Sequence, residues 1–132
     1  MQPAVHTFPR ARRLVAKADF DAVFAHPDLK QRGQGVLLLI KRRPLEAASR
    51  IGFVLAKRHL KRAVDRNRLR RACREAFRQR SFSVPVDIVV LAMGHAKSTL
   101  DAPLTPLFDA LFDRVDRKLA EGQRAGEPRR HA

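Results

Sequence analysis

The residues of this 132-residue chain best suited to chemistry lie in one basic stretch, KRHLKRAVDRNRLRRACREAFRQR, from Lys57 to Arg80. These 24 residues hold eleven Lys or Arg against two acids, so they supply +9 of the chain's +15 formal charge. A protein that binds a polyanion needs clustered cations to displace condensed counterions, and arginine holds phosphate through two parallel hydrogen bonds. The stretch therefore indicates binding to nucleic acid.

Helical spacing gives this stretch an apolar face and a basic face. Small and apolar side chains recur at i, i+3, i+4, i+7 and i+8, at Leu69, Ala72, Cys73, Ala76 and Phe77. The opposite face carries a polar ladder: Asn67, Arg71, Arg74 and Arg78. Like charges at this spacing repel, so a purely structural helix would contain more Glu. The pattern predicts a helix that packs on the protein core with its apolar face and binds phosphate with its basic face. The alternative that remains open is a basic face that contacts only solvent. On the apolar face, Cys73 is predicted to be a small buried hydrophobe.

Residue types that support catalysis or metal binding are scattered. The five histidines fall at no metal-ligand spacing, and the single cysteine excludes an intramolecular disulfide. No carboxylate cluster suits two Mg²⁺ ions. Asp109, Asp113 and Asp116 share a helical face, but basic neighbours favour a solvated surface. We therefore predict a binding protein with no catalytic residues, no metal site and no cofactor of its own.

The composition predicts a single folded domain. A chain of this length with 45% hydrophobic residues can bury one modest core. The longest apolar run, at 86–93, is too short to span a bilayer, and the N-terminus lacks the order of a signal peptide, so we predict a cytoplasmic protein. We place one RNA-binding domain at 1–122, with an extended basic N-terminus at 1–16, and a disordered polar tail at 123–132.

Periodicity predicts an α+β two-layer sandwich. A helix is expected at 17–25, a turn or short edge strand at 31–35, and strands at 36–42 and 50–57. The basic helix follows, then a strand at 86–93. A final helix begins at the Thr105-Pro106 cap and stops at Gly122. The order is helix, two or three strands, basic helix, strand, helix.

One predicted strand has a face of small side chains. Gly52, Val54 and Ala56 alternate with large residues, so their face is either the floor of a groove for an extended polymer or a surface that packs under the first helix. Phe20 and Phe24 of that helix are either core or platforms on which bases stack. Spacing alone favours core for both.

The basic stretch closely resembles the signature of the protein subunit of bacterial ribonuclease P. That resemblance rests on Arg66-Asn67-Arg68 followed by Arg74-Glu75-Ala76-Phe77-Arg78. Many relatives have Val-Gly after a Lys-Lys pair, whereas this chain has His59-Leu60. The resemblance spans residues 8–120, and further matches run in the family's order: FPRARRL at 8–14, Asp19-Phe20, Val23-Phe24, Arg50-Ile51-Gly52-Phe53-Val54 and Asp87-Ile88-Val89-Val90.

The resemblance implies a division of labour. A large RNA subunit holds Mg²⁺ and removes the 5′ leader from precursor tRNA, while the protein binds that RNA and the leader; neither DNA nor membrane is a partner. It also implies a left-handed strand-helix-strand crossover. The residues assigned to the RNA subunit are Arg62, Arg66, Asn67, Arg68, Arg70, Arg71, Arg74 and Arg78. Those assigned to the leader are Phe20, Phe24, Val54, Ala56, Lys57 and Arg58.

Three other functions compete with this interpretation. A structural RNA-binding protein of the ribosomal type would have the same composition and charge, so only the ordered signature separates the two. A stand-alone nuclease would need the missing carboxylate cluster. A DNA-binding helix-turn-helix would need a helix before the basic one, where the sequence predicts a strand.

Overall fold

The computed structural model describes residues 10–129, which form a four-stranded mixed sheet with helices. Strands β1 and β2 form a hairpin, β2 pairs antiparallel with β4, and β3 lies parallel to β4, giving the order β1-β2-β4-β3. The predicted α+β class is confirmed. The elements are α1 (Lys17–Ala25), β1 (Leu29–Gly33), β2 (Val36–Arg42), β3 (Arg50–Val54), α2 (Ala63–Arg78), β4 (Val86–Ala92) and α3 (Leu104–Arg129).

The central strands are apolar on both faces because both faces are covered. A larger core joins one face to α2 and α3, and it includes Phe77, Phe108 and Phe112. A smaller core lies under α1, where Val23 packs with Leu39 and other sheet residues. Helix α2 connects the adjacent parallel strands β3 and β4. The left-handed sense of this crossover stays a prediction.

The N-terminal segment lines the outer edge of β3. Residues Arg10–Arg12 form a 3-10 turn, and Arg13 then makes an isolated parallel bridge with Ile51. The Leu14 amide donates to the Ile51 carbonyl at 2.9 Å. Of the extended basic N-terminus predicted at 1–16, residues 1–9 lie outside the described part of the chain. The segment matters because it brings its arginines next to α2.

Several element ends differ from those predicted. Strand β3 stops at Val54 rather than residue 57, because the Ala56 carbonyl accepts bonds from the His59 and Leu60 amides and turns the chain. The predicted stop of the last helix at Gly122 is wrong, since α3 continues to Arg129. One glycine costs a helix only about 1 kcal/mol, which does not end it. The predicted disordered tail thus includes helical residues at 123–129, and 130–132 lie outside the described residues.

The predicted solvated face of the α3 acids is confirmed for Asp109 and Asp113, whose side chains are 57% and 58% exposed, but the acids of this face also bond to a neighbouring loop. Arg80 donates to Asp113 at 2.7 Å, and the Ser83 amide and hydroxyl donate to Asp116 at 2.7 and 2.9 Å. Asp109 lies 3.9 Å from Arg80. These bonds tie the connection between α2 and β4 to α3. Helical spacing shows that the acids share a face but not which loop packs beside it.

The β1–β2 turn depends on Gly35. Its φ of +77° lies in the left-handed region that favours glycine. A Cβ there would lie 2.8 Å from both the Ala96 Cα and the His95 carbonyl oxygen. Thr99 holds the turn against the segment at 95–99, because its hydroxyl donates to the Gln34 carbonyl at 2.5 Å.

We expect Gly35→Ala to lower the free energy of unfolding by more than about 1 kcal/mol, since strained backbone and a steric clash act together. Chemical denaturation measures the change. Gly94→Ala is the matched control because nothing lies within 4 Å of a Cβ built there. Equal losses for the two variants would contradict the assignment of strain to Gly35.

Candidate nucleic-acid interface

Helix α2 has the apolar stripe that its sequence predicts. Leu69, Cys73, Ala76 and Phe77 are buried, and Ala72 is half-buried. Phe77 packs against Phe82 and Phe112, with ring centroids 5.8 and 5.9 Å away. Burial raises the pKa of the Cys73 thiol well above its ordinary value. Cys73 is therefore the small buried hydrophobe that was predicted, and the opposite side of α2 is free to face outward.

The outward face of α2 presents donors of two kinds. Arg71 is exposed, and Asn67, one turn earlier, is also exposed and accepts a bond from Arg70 at 3.0 Å. Arg78 makes two bonds to the Glu75 carboxylate, at 2.8 and 3.0 Å. Such exposed pairs contribute little to stability, so phosphate can replace the carboxylate as the partner of Arg78 at low cost.

Arg74 lies on the flank of α2 rather than on its outermost face. Its guanidinium carbon is 5.3 Å from the centroid of the Phe53 ring on β3. Desolvation, followed by the charges of Arg13 and Arg70, lowers the pKa of Arg74. Three guanidinium groups from two elements thus create a local positive potential suited to an anion. Sequence reasoning missed Arg13, because only the pairing of its segment with β3 brings it beside α2.

The other arginines of the motif also hold the protein together. Arg66 is half-buried and donates to the Leu60 and Lys61 carbonyls at 2.8 and 3.0 Å. Arg68 reaches the Leu100 carbonyl at 3.4 Å. The exposed Arg62 lies 3.9 Å from Asp65. Arg66 therefore fixes the turn that leads into α2 as well as carrying charge.

A second surface lies on the sheet beside α1. Gly52 packs directly under this helix, since a Cβ there would come within 2.6 Å of the Phe20 ring. Phe20 is half-buried and belongs to the smaller core. By contrast, Phe24 and Val54 remain 42% and 38% exposed. The face of β3 that carries small side chains thus has one part covered by α1, at Gly52, and one open part, at Val54.

The open part has an apolar floor. Val54 pairs with Leu91, which pairs with Leu37, and both leucines are half-buried. Lys57 and Arg58 are exposed in the turn that follows β3, and Ala56 beside them is half-buried. Sequence reasoning missed the two leucines, because the strand register that aligns them with Val54 is not visible in a local pattern.

An ion-pair network holds α1, β3 and β4 together. Arg50 donates to both oxygens of Asp87, at 2.8 and 2.7 Å, and to Asp19 at 3.3 Å. Hydrogen bonding to Asp87 is the main cause that raises the pKa of Arg50. Arg43 lies 3.5 Å from the same carboxylate. Asp87 is the sole acid in the apolar strand β4. A buried acid needs a cationic partner, so its position in the sequence could have predicted a contact of this kind.

Residues 10–129 contain no group of three or more His, Cys, Asp or Glu able to hold a metal ion. None of the helices there combines the length and the apolar character that a membrane span requires.

The model of the family described as ribonuclease P matches residues 8–116 of this chain. The chain belongs to the ribonuclease P protein family. Among its relatives, the ribonuclease P protein component of Chromohalobacter salexigens is 38% identical over 122 residues, covering 92% of this chain and 94% of the relative. That of Pseudomonas savastanoi pv. phaseolicola is 36% identical over 122 residues, covering 92% and 91%.

Solved structures of the ribonuclease P family show the same fold. The Staphylococcus aureus protein has a TM-score of 0.65 at 24% identity, covering 80% of this chain and 96% of that one. The Thermotoga maritima protein has a TM-score of 0.65 at 21% identity, with the same coverage.

Membership of the ribonuclease P family makes the chain an RNA-binding subunit that acts in tRNA processing. It decides against the rival interpretations as a ribosomal protein or a DNA-binding helix-turn-helix. The assignment of individual residues to RNA or leader stays a prediction.

Proposed function

We propose that this chain binds the catalytic RNA subunit of ribonuclease P through α2 and holds the 5′ leader of precursor tRNA in the groove beside α1. The RNA and its Mg²⁺ ions cleave the phosphodiester bond, and the protein itself binds no cofactor. The observation that carries the proposal is the arginine-rich outer side of α2. The proposal includes a cytoplasmic location and neither a DNA nor a membrane partner.

The charge and the geometry of α2 support its binding of RNA. Asn67 and Arg71 are exposed on the outward face, and the guanidinium groups of Arg13, Arg70 and Arg74 lie along its flank. Repulsion among these cations is relieved when phosphates bind between them. The proposed contacts are Arg62, Arg66, Asn67, Arg68, Arg70, Arg71, Arg74 and Arg78, with Arg13 added from the fold.

The groove beside α1 supports binding of the leader. A single-stranded RNA needs a positively charged channel and apolar or aromatic surfaces on which its bases stack. Phe24 and Val54 are exposed there, and Phe20 lines the covered side. The half-buried Ala56 lies in the turn that follows β3. Lys57 and Arg58 supply the positive rim.

The division of labour is tested by separating protein from RNA. We expect purified RNA-free protein to leave precursor tRNA intact at any Mg²⁺ concentration, and the reconstituted holoenzyme to remove the leader. Gel analysis of the 5′ product measures both. Cleavage by RNA-free protein that a single Asp or Glu substitution abolishes would contradict the proposal.

The salt dependence of RNA binding tests the role of α2. We expect Arg71→Ala to reduce the slope of log affinity against log salt by about one unit or somewhat less, because one phosphate contact is lost. Asn67→Ala should weaken binding with little change of slope, since its side chain is uncharged. Affinity titrations at several salt concentrations measure both.

Arg114→Ala is the matched control for this experiment. Arg114 is an exposed arginine on α3, outside the proposed interface. Its loss removes the same charge from the whole molecule. Equal slope changes for Arg71→Ala and Arg114→Ala would mean that net charge, rather than the α2 face, binds the RNA.

A further inference from the structure

Helix α1 lies across the strands of the sheet rather than along them. Asp19 in its first turn binds Arg50 on β3 at 3.3 Å. At the other end, the His26 carbonyl just after α1 accepts a bond from Lys41 on β2, also at 3.3 Å. The helix thus runs from the β3 edge toward β2. The open part of the sheet beside α1 takes the same direction, across the strands.

The floor of this groove continues beyond the apolar residues. The row formed by Val54, Leu91 and Leu37 ends at Arg32 on β1, which pairs with Leu37. Directly paired residues point to the same face, so Arg32 lies on the α1 side of the sheet. Three strand spacings of about 4.8 Å place it roughly 14 Å from Val54. Lys30 occupies the next row on the same face, because side chains alternate along a strand.

Both β1 cations are exposed and available. Neither Lys30 nor Arg32 makes a salt bridge within residues 10–129, although Lys17, Arg50, Arg78 and Arg80 do. The acid nearest in sequence, Asp28, accepts a bond from the Arg42 amide instead. The row therefore has Lys57 and Arg58 near its β3 end, an apolar floor in the middle and unpaired cations at its β1 end.

We infer that Arg32, assisted by Lys30, binds a phosphate of the leader at the β1 edge of the sheet, opposite the β3 edge where Val54 lies. This inference rests on the proposed leader groove and extends it to β1. A strand of RNA that crosses the row packs its bases against the apolar side chains of Val54, Leu91 and Leu37, and its backbone then meets Arg32. The contact is with phosphate, so it selects leader length and not leader sequence.

The test uses reconstituted holoenzyme and precursor tRNAs whose leaders are lengthened one nucleotide at a time. For short leaders, Arg32→Ala should bind as the wild type does. Beyond a threshold length, it should bind about fivefold to tenfold more weakly, with a salt slope smaller by about one. Arg42→Ala is the control, because Arg42 is an exposed arginine on the opposite face of β2. It should match the wild type at every length.

Three results would overturn the inference. If Arg32→Ala matches the wild type at all lengths while Val54→Glu loses the preference for precursor, the groove stands and its extension to β1 is wrong. If the wild type itself shows no preference for precursor over mature tRNA, the proposed groove fails and the extension fails with it. If Arg32→Ala weakens the binding of mature tRNA as much as the binding of precursor tRNA, Arg32 contacts a part of the RNA other than the leader.

Discussion

Val54→Glu will reduce the preference of the holoenzyme for precursor over mature tRNA by roughly tenfold, or about 1.4 kcal/mol. The carboxylate would stand in the open floor of the groove, where it removes an apolar contact and repels phosphate. Val54 is 38% exposed, so the change leaves the core intact. The measurement is the ratio of the two tRNA affinities, with thermal unfolding recorded for each variant.

Leu45→Glu is the matched control for Val54→Glu. It adds the same charge at a residue that is 77% exposed in the connection between β2 and β3. Phe24→Ala is a second groove variant, and it is preferable to Phe20→Ala because Phe20 packs on Gly52 and its loss also costs stability. If the groove variants lost equal affinity for precursor tRNA and for mature tRNA, these residues would have a structural role and would not bind the leader.

Asp87→Ala will lower the free energy of unfolding by about 3 kcal/mol, since removing one partner of a buried ion pair leaves Arg50 with only its longer bond to the half-exposed Asp19. Asp87 is largely buried and receives two short bonds from Arg50. Urea denaturation measures the loss.

Asp19→Ala is the comparison for Asp87→Ala. Asp19 makes a single 3.3 Å bond to Arg50 and its side chain is 38% exposed, so we expect a loss below about 1 kcal/mol. The double variant Arg50→Met, Asp87→Leu should recover most of the stability, because apolar residues replace both buried charges. A stable Asp87→Ala variant would mean that water reaches Arg50 freely.

Local periodicity was enough to predict the elements that form the site. The bounds of α1 and β2 agree with those predicted, and the buried stripe of α2 is the predicted one. These features depend on side-chain spacing within one segment. The ordered family signature then supplied the function, which charge alone left open between several RNA-binding classes.

Contacts between distant segments were beyond the reach of the sequence. Nothing in the local pattern places Arg13 beside Arg74, or aligns Arg32 and Leu91 with Val54. Arg66 looks like one more phosphate donor until the structure shows its bonds to backbone carbonyls. In each case the missing information is pairing register or loop packing, which arises only when the whole sheet assembles.

The sheet order has a consequence for how the protein is made. Strand β4 lies between β2 and β3, yet it follows α2 in the chain. During synthesis from the N-terminus, β3 has no strand partner in the sheet until β4 leaves the ribosome. The emerging chain therefore displays the basic α2 before β4 completes the floor of the groove, so the proposed RNA-binding face of α2 is synthesised earlier than the proposed leader groove is assembled.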